Sequence, residues 1–233
     1  EYELDVDDLP GDEEFSVKEA NEFIQKLAPK HAPRDYQLEA FIHGVRKRRA
    51  LLLSPTGSGK SLIIYLLSCY YRQKTLIIVP TTSLVHQMAS DFEDYGMPKG
   101  LIHKIMSGEE KDSDKPFVVS TWQSIYKLPK KWFQQFGMVI GDEAHLFKAK
   151  SLTSIMAATD GCKYKFGFTG TLDGMQTNKL VLEGLFGPVR KVTSTAELMD
   201  QKHLAELMIK ALVLKHPDAV SYTHLTLPTN REV

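Results

Sequence analysis

The sequence predicts an α/β fold, a mostly parallel sheet with helices on both faces. Three observations point there. Short, almost wholly apolar runs read as strands buried on both sides. Between them lie segments whose apolar residues recur at helical spacing. A glycine-containing string, SPTGSGKS over Ser54 to Ser61, follows one of those runs and opens an apolar helix.

The elements follow in order. Glu1 to Glu14 is acidic, with a Pro10-Gly11 break, and reads as a solvated linker. A short helix is expected from Ser16, with Val17, Ala20, Phe23, Ile24 and Leu27 on one face. Two prolines within Ala28 to Pro33 end it. Leu38, Phe41, Ile42 and Val45, at i, i+3, i+4 and i+7, predict an amphipathic helix over Arg34 to Arg49. Its basic end, Arg46 to Arg49, reads either as favourable charge at a helix C-terminus or as phosphate contact. Strands are expected at Ala50–Ser54, Thr75–Val79, Leu101–Ile105, Phe117–Ser120, Met138–Ile140 and Lys165–Phe168. Helices or turns are expected at Ser61–Arg72, Ser83–Tyr95, Trp122–Tyr126, Ser151–Ala158 and Met175–Leu185. A further apolar-periodic stretch covers Leu198 to Leu214.

Composition narrows the class. The 233 residues are 42% hydrophobic and 25% charged, an ordinary globular balance. Net charge is zero and the pI near 7.3, so a nucleic-acid partner would have to be met by a local patch. The longest apolar run, Leu62 to Tyr71, is about half of the ~20 residues a membrane helix needs. Eight acidic residues among the first fourteen leave no signal peptide. No membrane partner and a cytoplasmic location are therefore expected. Cys69 and Cys162 lack metal-ligand spacing and read as reduced, buried thiols. The histidines are scattered without zinc spacing, and no Ser-His-Asp signature occurs.

SPTGSGKS carries the first chemistry. Gly57 and Gly59 let backbone N–H groups converge on phosphate oxygens, and the following helix adds its positive end. Lys60 is placed to neutralise the β and γ phosphates, and the Ser61 hydroxyl to ligate Mg²⁺. Pro55, Thr56 and Ser58 complete the loop, and Ser54 stands where G-x-x-x-x-G-K-[ST] has its first Gly. A structural glycine turn is the alternative. The second half of such a site is Gly141-Asp142-Glu143-Ala144-His145, directly after an apolar strand. Asp142 would hold Mg²⁺ through water, and Glu143 would orient and deprotonate an attacking water. Thr81 and Thr82, at a strand-to-helix junction, read either as ligands of nucleic-acid phosphates or as helix caps; Ser120 and Thr121 follow the same logic. Trp122 reads as core or as a base-stacking platform, and Trp132 to Phe136 as packing or a strand-separating wedge.

These motifs, in this order, resemble the first RecA-like motor domain of superfamily 2 helicases, over about Arg34 to Pro217. Arg34-Asp35-Tyr36-Gln37 resembles the R-x-Y-Q element, which implies nucleotide contact by Arg34 and adenine reading by Gln37. SPTGSGKS resembles motif I, where the first Gly is often replaced. Val79 to Leu84, with Pro80, Thr81 and Thr82, resembles motif Ia; Ser120 to Ser124 resembles motif Ib. Asp142 to His145 is similar to motif II, and Phe168-Thr169-Gly170-Thr171 to motif III. His145, Thr169 and Thr171 are thereby implied in coupling ATP to DNA movement. HQMASDFEDY, STWQSIYKLPKKWFQQFGM and LFGPVRKVTSTAELMD are similar to the recombination and repair helicases of T-even phages.

The resemblance implies an ATP- and Mg²⁺-dependent DNA helicase or translocase acting on single-stranded and branched DNA, in a phage-infected bacterial cytoplasm. The alternatives are a restriction-type DNA translocase and a nucleotide-gated binding module. No Q-x-x-G-R-x-x-R string occurs, so a second RecA-like domain is expected outside this chain, and the chain alone is expected to hydrolyse ATP barely, if at all. The expected organisation is 1–33, acidic linker and short helix; 34–197, RecA-like ATP-binding domain; 198–218, start of the connection to the second domain. Segment 219–233 is expected to be a non-native tail, because VSYTHLTLPTNREV resembles a translated sequencing adapter; a genuine C-terminal strand is the alternative. A first residue other than Met likewise reads as a fragment or a processed chain.

Overall fold

The computed structural model describes residues 15–146, 149–171 and 176–205. The acidic segment 1–14, most of the stretch Leu198 to Leu214 and the suspected tail lie outside the described residues.

Ser16 opens α1 (Val17–Leu27) with a capping box that it forms with Glu19. The i, i+3, i+4, i+7 stripe makes α2 (Asp35–Lys47), which buries Ala40, Phe41, Ile42 and Val45. Arg48, at φ 59°, breaks the helix and turns the chain into β1 (Arg49–Leu53). α3 (Lys60–Tyr71) is apolar nearly all round and buries Leu62 to Ser68, as a helix in the middle of a layer does. β2 (Thr75–Val79) leads to α4 (Thr82–Asp94), whose buried face is Val85, Met88, Ala89 and Phe92. β3 (Ile102–Ile105), β4 (Phe117–Thr121), α5 (Trp122–Ile125), α6 (Lys130–Phe133) and β5 (Met138–Gly141) follow. A 3₁₀ turn at Ala144–Leu146, α7 (Ala149–Ala158), β6 (Tyr164–Thr169), α8 (Gln176–Phe186), β7 (Val189–Lys191) and α9 (Thr195–Asp200) complete the described chain.

Among the described residues seven strands form one sheet in the order β3-β4-β2-β5-β6-β1-β7, and each strand runs parallel to its neighbours. Strand residues alternate between two cores. Ile77, Val79, Ile140, Phe166 and Phe168 join α1 to α4 on one face. Leu76, Ile78, Val139 and Leu51 join Trp132, Phe133, Leu152, Ile155 and Phe186 on the other. The predicted class, helices on both faces of a parallel sheet, is what the chain adopts. Among the described residues, no helix is long and apolar enough to cross a membrane.

Two boundaries move. Phe15 and Ala20 belong to the main core, so α1 is part of the packed unit that the sequence reading started at 34. Leu198, set at the start of the connection, is fully buried, and its helix ends at Asp200. β7 escaped the sequence reading because it has three residues, two of them exposed cations.

Candidate functional site

The strand order sets β6 between β1 and β5, with Leu53 opposite Thr169 and Gly141 opposite Gly167. The loops leaving these three strands therefore meet at the carboxyl ends of the sheet, where open α/β folds bind ligands.

The phosphate loop follows β1. Gly57 and Gly59 sit at φ 82° and 74°, in the left-handed region that favours glycine. The Ser54 and Ser58 hydroxyls lie 2.6 Å apart, both residues fully buried, and Ser58 Oγ donates to Pro55 O at 2.6 Å. Ser54 thus ties the loop's two limbs together where a glycine would leave them unlinked. A second brace comes from α2. Gln37, 4% exposed, donates from Nε2 to Ser58 O at 2.9 Å and Gly59 O at 3.2 Å, while its Oε1 accepts from Arg34 N at 2.9 Å. Arg34 Nη1 donates to Tyr36 Oη, which donates to Ser58 O. Arg34, Gln37, Gly57 and Gly59 also border a cavity of about 450 Å³ with His31, Leu62 and Tyr95.

Lys60, Ser61, Thr56, Gly57 and Gly59 line a neighbouring cavity of about 320 Å³ together with Asp142 and Glu143. Lys60 Nζ is ion-paired with Glu143 Oε1. Glu143 sits at φ 49°, a conformation a non-glycine side chain rarely holds, and its N–H donates to Asp142 Oδ1 at 3.0 Å. Burial pushes the Asp142 carboxyl up to about 6, against the pull of Lys60. Thr169 Oγ1 lies 2.7 Å from His145 Nδ1 and 2.6 Å from Thr171 O. The hydroxyl's one proton goes to the carbonyl, so His145 carries its proton on Nδ1 and donates to Thr169. Glu143 Oε2 is 3.5 Å from the same nitrogen. Motif III thus touches motif II through Thr169, and Thr171 joins them through its carbonyl.

At the ends of β2 and β4, Thr81 and Thr82 are exposed. Thr81 Oγ1 caps α4 by accepting from Leu84 N at 3.4 Å. Pro80 is buried, and its carbonyl accepts from Gln123. Ser120 corrects the sequence reading. It is fully buried and shares its one proton between Ile105 O at 3.3 Å and Thr121 O at 3.0 Å, so its hydroxyl is engaged within the sheet. Thr121 is 5% exposed and shares its hydroxyl with Ser124. Trp122 and Trp132 both pack against the second core.

Sequence reasoning missed three contributors. Asp91, on α4, borders both cavities; Tyr95, the C-cap of that helix, borders the 450 Å³ one, and its Oη lies 2.7 Å from Ser61 Oγ. Leu204 lies over Gly57, where an added Cβ would meet its Cδ2 at 2.8 Å. No local string announces such contacts. A larger cavity of about 470 Å³, bordered by Phe23, Leu27, Cys69 and Phe117, opens by the amino end of β4, away from this chemistry.

The model of the type III restriction enzyme res subunit family matches residues 30–174. The ATP-dependent DNA helicase uvsW of Enterobacteria phage T4 is 42% identical over 220 residues, covering 88% of this chain and 44% of that protein. The DNA 3'-5' translocase XPB2 of Sulfurisphaera tokodaii is 31% identical over 180 residues, 77% of this chain and 39% of that one. The chain therefore spans less than half the length of these relatives. The crystal structure of the UvsW helicase from bacteriophage T4 superposes with a TM-score of 0.72 at 42% identity, over 78% of this chain and 70% of that one. Such likeness identifies the sheet as the RecA-like kind.

Proposed function

The chain belongs to the type III restriction enzyme res subunit family, and from that premise we propose that it is the ATP-binding motor half of a DNA helicase of recombination and repair, acting on single-stranded and branched DNA such as forks and Holliday-type junctions. One observation carries the reading: Lys60 and Ser61 of the phosphate loop and the Asp142–Glu143 pair line a single cavity at the carboxyl ends of β1 and β5. The similarity to a protein named as an ATP-dependent DNA helicase supports the substrate class.

In this reading 34–197 is the first RecA-like domain, extended by α1, and 198–218 begins the connection to a second. Segment 219–233 is foreign to the protein. Coverage of 44% of uvsW agrees with a missing half.

ATP would lie along the phosphate loop, with Arg34 and Gln37 at the base end and Lys60 on the β and γ phosphates. The donor set suits Mg²⁺: a serine hydroxyl and one buried carboxylate are hard oxygen ligands. Among the described residues no three His, Cys, Asp or Glu side chains gather around one point. The protein thus offers few ligands and leaves the rest to water and phosphate, the mode Mg²⁺ prefers. Bound there, the ion would neutralise phosphate charge. Ser61 and Asp142 would hold it, Glu143 would take the proton of the attacking water, and Thr169 would pass changes at His145 to the DNA-facing loops. Thr81 and Thr82 would take backbone phosphates.

The test is binding of a fluorescent ATP analogue to this chain, beside Lys60→Ala, and phosphate release with and without forked DNA. Expected are Mg²⁺-strengthened binding, its loss in Lys60→Ala, and hydrolysis barely above background. A chain that binds no nucleotide would overturn the reading. Robust DNA-stimulated turnover would overturn the need for a second RecA-like half, whose arginine finger is worth ~10³–10⁵ in related enzymes. The family's name favours one further reading, a restriction-type translocase; it would move along duplex without separating strands.

A further inference from the structure

Ser61 faces two residues to which none of the motifs above assigns a role. Its hydroxyl lies 2.7 Å from Tyr95 Oη. Asp91 lines the same cavity as Ser61; burial pushes its carboxyl up, and the hydrogen bond of the Ser61 hydroxyl opposes that rise. Asp91 lies in α4, and Tyr95, four residues on, is that helix's C-cap, so both point from one face. That turn is fixed in place. Phe92 beside it is fully buried, and the Tyr95 ring packs against Tyr65 at 5.5 Å and His31 at 6.0 Å. Lys30 N donates to Tyr95 O at 3.2 Å and adds a backbone tie. Asp91 also borders the cavity that holds Lys60, Asp142 and Glu143.

A hydroxyl that ligates a hard cation spends a lone pair on the metal and must give its proton to another acceptor. Where that acceptor is fixed, the lone pair is aimed; where it is not, the hydroxyl rotates among partners. We propose that Asp91 and Tyr95 are positioning residues for Ser61: Asp91 accepts the hydroxyl's one proton, Tyr95 Oη donates to its oxygen, and the remaining lone pair is left toward the Mg²⁺ position. This rests on the nucleotide reading above. Asp91 touches neither the phosphates nor the ion in this arrangement; it acts through Ser61.

The experiment measures the affinity of this chain for a fluorescent ATP analogue in Mg²⁺ and in EDTA. Asp91→Ala and Tyr95→Phe are expected to cut the Mg²⁺-dependent gain about tenfold, the usual scale for outer partners of a metal ligand, and to leave the affinity in EDTA unchanged. Asp91→Asn, whose amide oxygen still accepts, recovers part of the loss. In a Ser61→Ala background both substitutions fall silent. Equal weakening with and without Mg²⁺, or effects that add in full to Ser61→Ala, overturn the proposal. Tyr95→Phe keeps the ring packing, so loss of fold is distinguished by its melting curve. A parent chain that binds no nucleotide sinks the nucleotide reading and this one together. A parent with a Mg²⁺-dependent gain and indifferent variants sinks only the positioning role.

Discussion

Lys60 and Glu143 are ion-paired across the cavity between the phosphate loop and the end of β5, with side chains only 10% and 17% exposed. So enclosed a pair is unlike the screened salt bridges of a protein surface. In the proposed function, a triphosphate entering the cavity would compete with Glu143 for the Lys60 ammonium. The same exchange would free the carboxylate to accept a proton from water, so that binding and activation of the base would be one event. Glu143 makes this ion pair from a left-handed backbone, φ 49°.

Glu143→Gln keeps the side chain's shape and removes the charge that competes for Lys60. ATP should bind as tightly as to the parent or several-fold more tightly, while hydrolysis in a complete two-domain protein falls at least ~10²-fold. Weaker binding, seen by titration, would mean that Glu143 contributes to ATP affinity itself. Lys60→Ala should abolish binding and also lower stability by about 1–3 kcal/mol, because it leaves a largely buried carboxylate without its partner. Urea unfolding reads that second effect.

Ser54 departs from the glycine of the general phosphate-loop pattern, and its hydroxyl meets that of Ser58 at 2.6 Å. Ser54→Ala should cost about 1 kcal/mol, the worth of one internal hydrogen bond. Ser54→Gly should cost up to ~1 kcal/mol more through backbone freedom. Nucleotide affinity should fall in parallel as the loop loosens. Equal stability of parent and Ser54→Ala in urea would show that the contact contributes nothing.

Gln37 spends its amide on the loop, donating to Ser58 O and Gly59 O. A residue that only reads adenine would, when replaced, make ATP and GTP bind alike by lowering ATP alone. A residue that also braces the loop lowers both. Gln37→Ala is therefore expected to weaken GTP binding as well as ATP binding, by about fivefold for each lost net hydrogen bond of ~1 kcal/mol. An unchanged GTP affinity would reduce Gln37 to base recognition.

What the sequence made legible is what it carries contiguously. SPTGSGKS and the Asp142-Glu143 pair each sit on one turn after one strand, so residue type and spacing suffice, and the parallel sheet brings the two together. Ser120 shows where that logic stops. All five residues of β4 are buried, so the strand has no polar face to mark which side chains point at a partner. Asp91, Tyr95 and Leu204 reach this site only through packing of α4 and of the segment after α9, which no local pattern encodes. β7 pairs beside β1 because the chain returns after α8, not because three residues with two cations favour a strand.

His43 offers a pH test remote from the nucleotide cavity. Burial, then the charges of Arg190, Lys47 and Arg46, bring its pKa from 6.5 down to about 4. Among the described residues its buried Nε2 has no hydrogen-bond partner. The folded state therefore resists a proton that the unfolded chain accepts. Stability from this group is complete above pH 6.5 and is lost as pH falls toward 4. At 1.36 kcal/mol per unit the full shift would be worth about 3 kcal/mol; the ring is partly exposed, so solvent screening leaves about 1–2 kcal/mol. His43→Leu removes the titrating group and the unsatisfied nitrogen together. It should match or exceed the parent's stability at pH 7.5, and its margin should grow by that amount at pH 4.5 in urea unfolding. A margin that stays constant with pH would mean that His43 titrates normally in the folded protein.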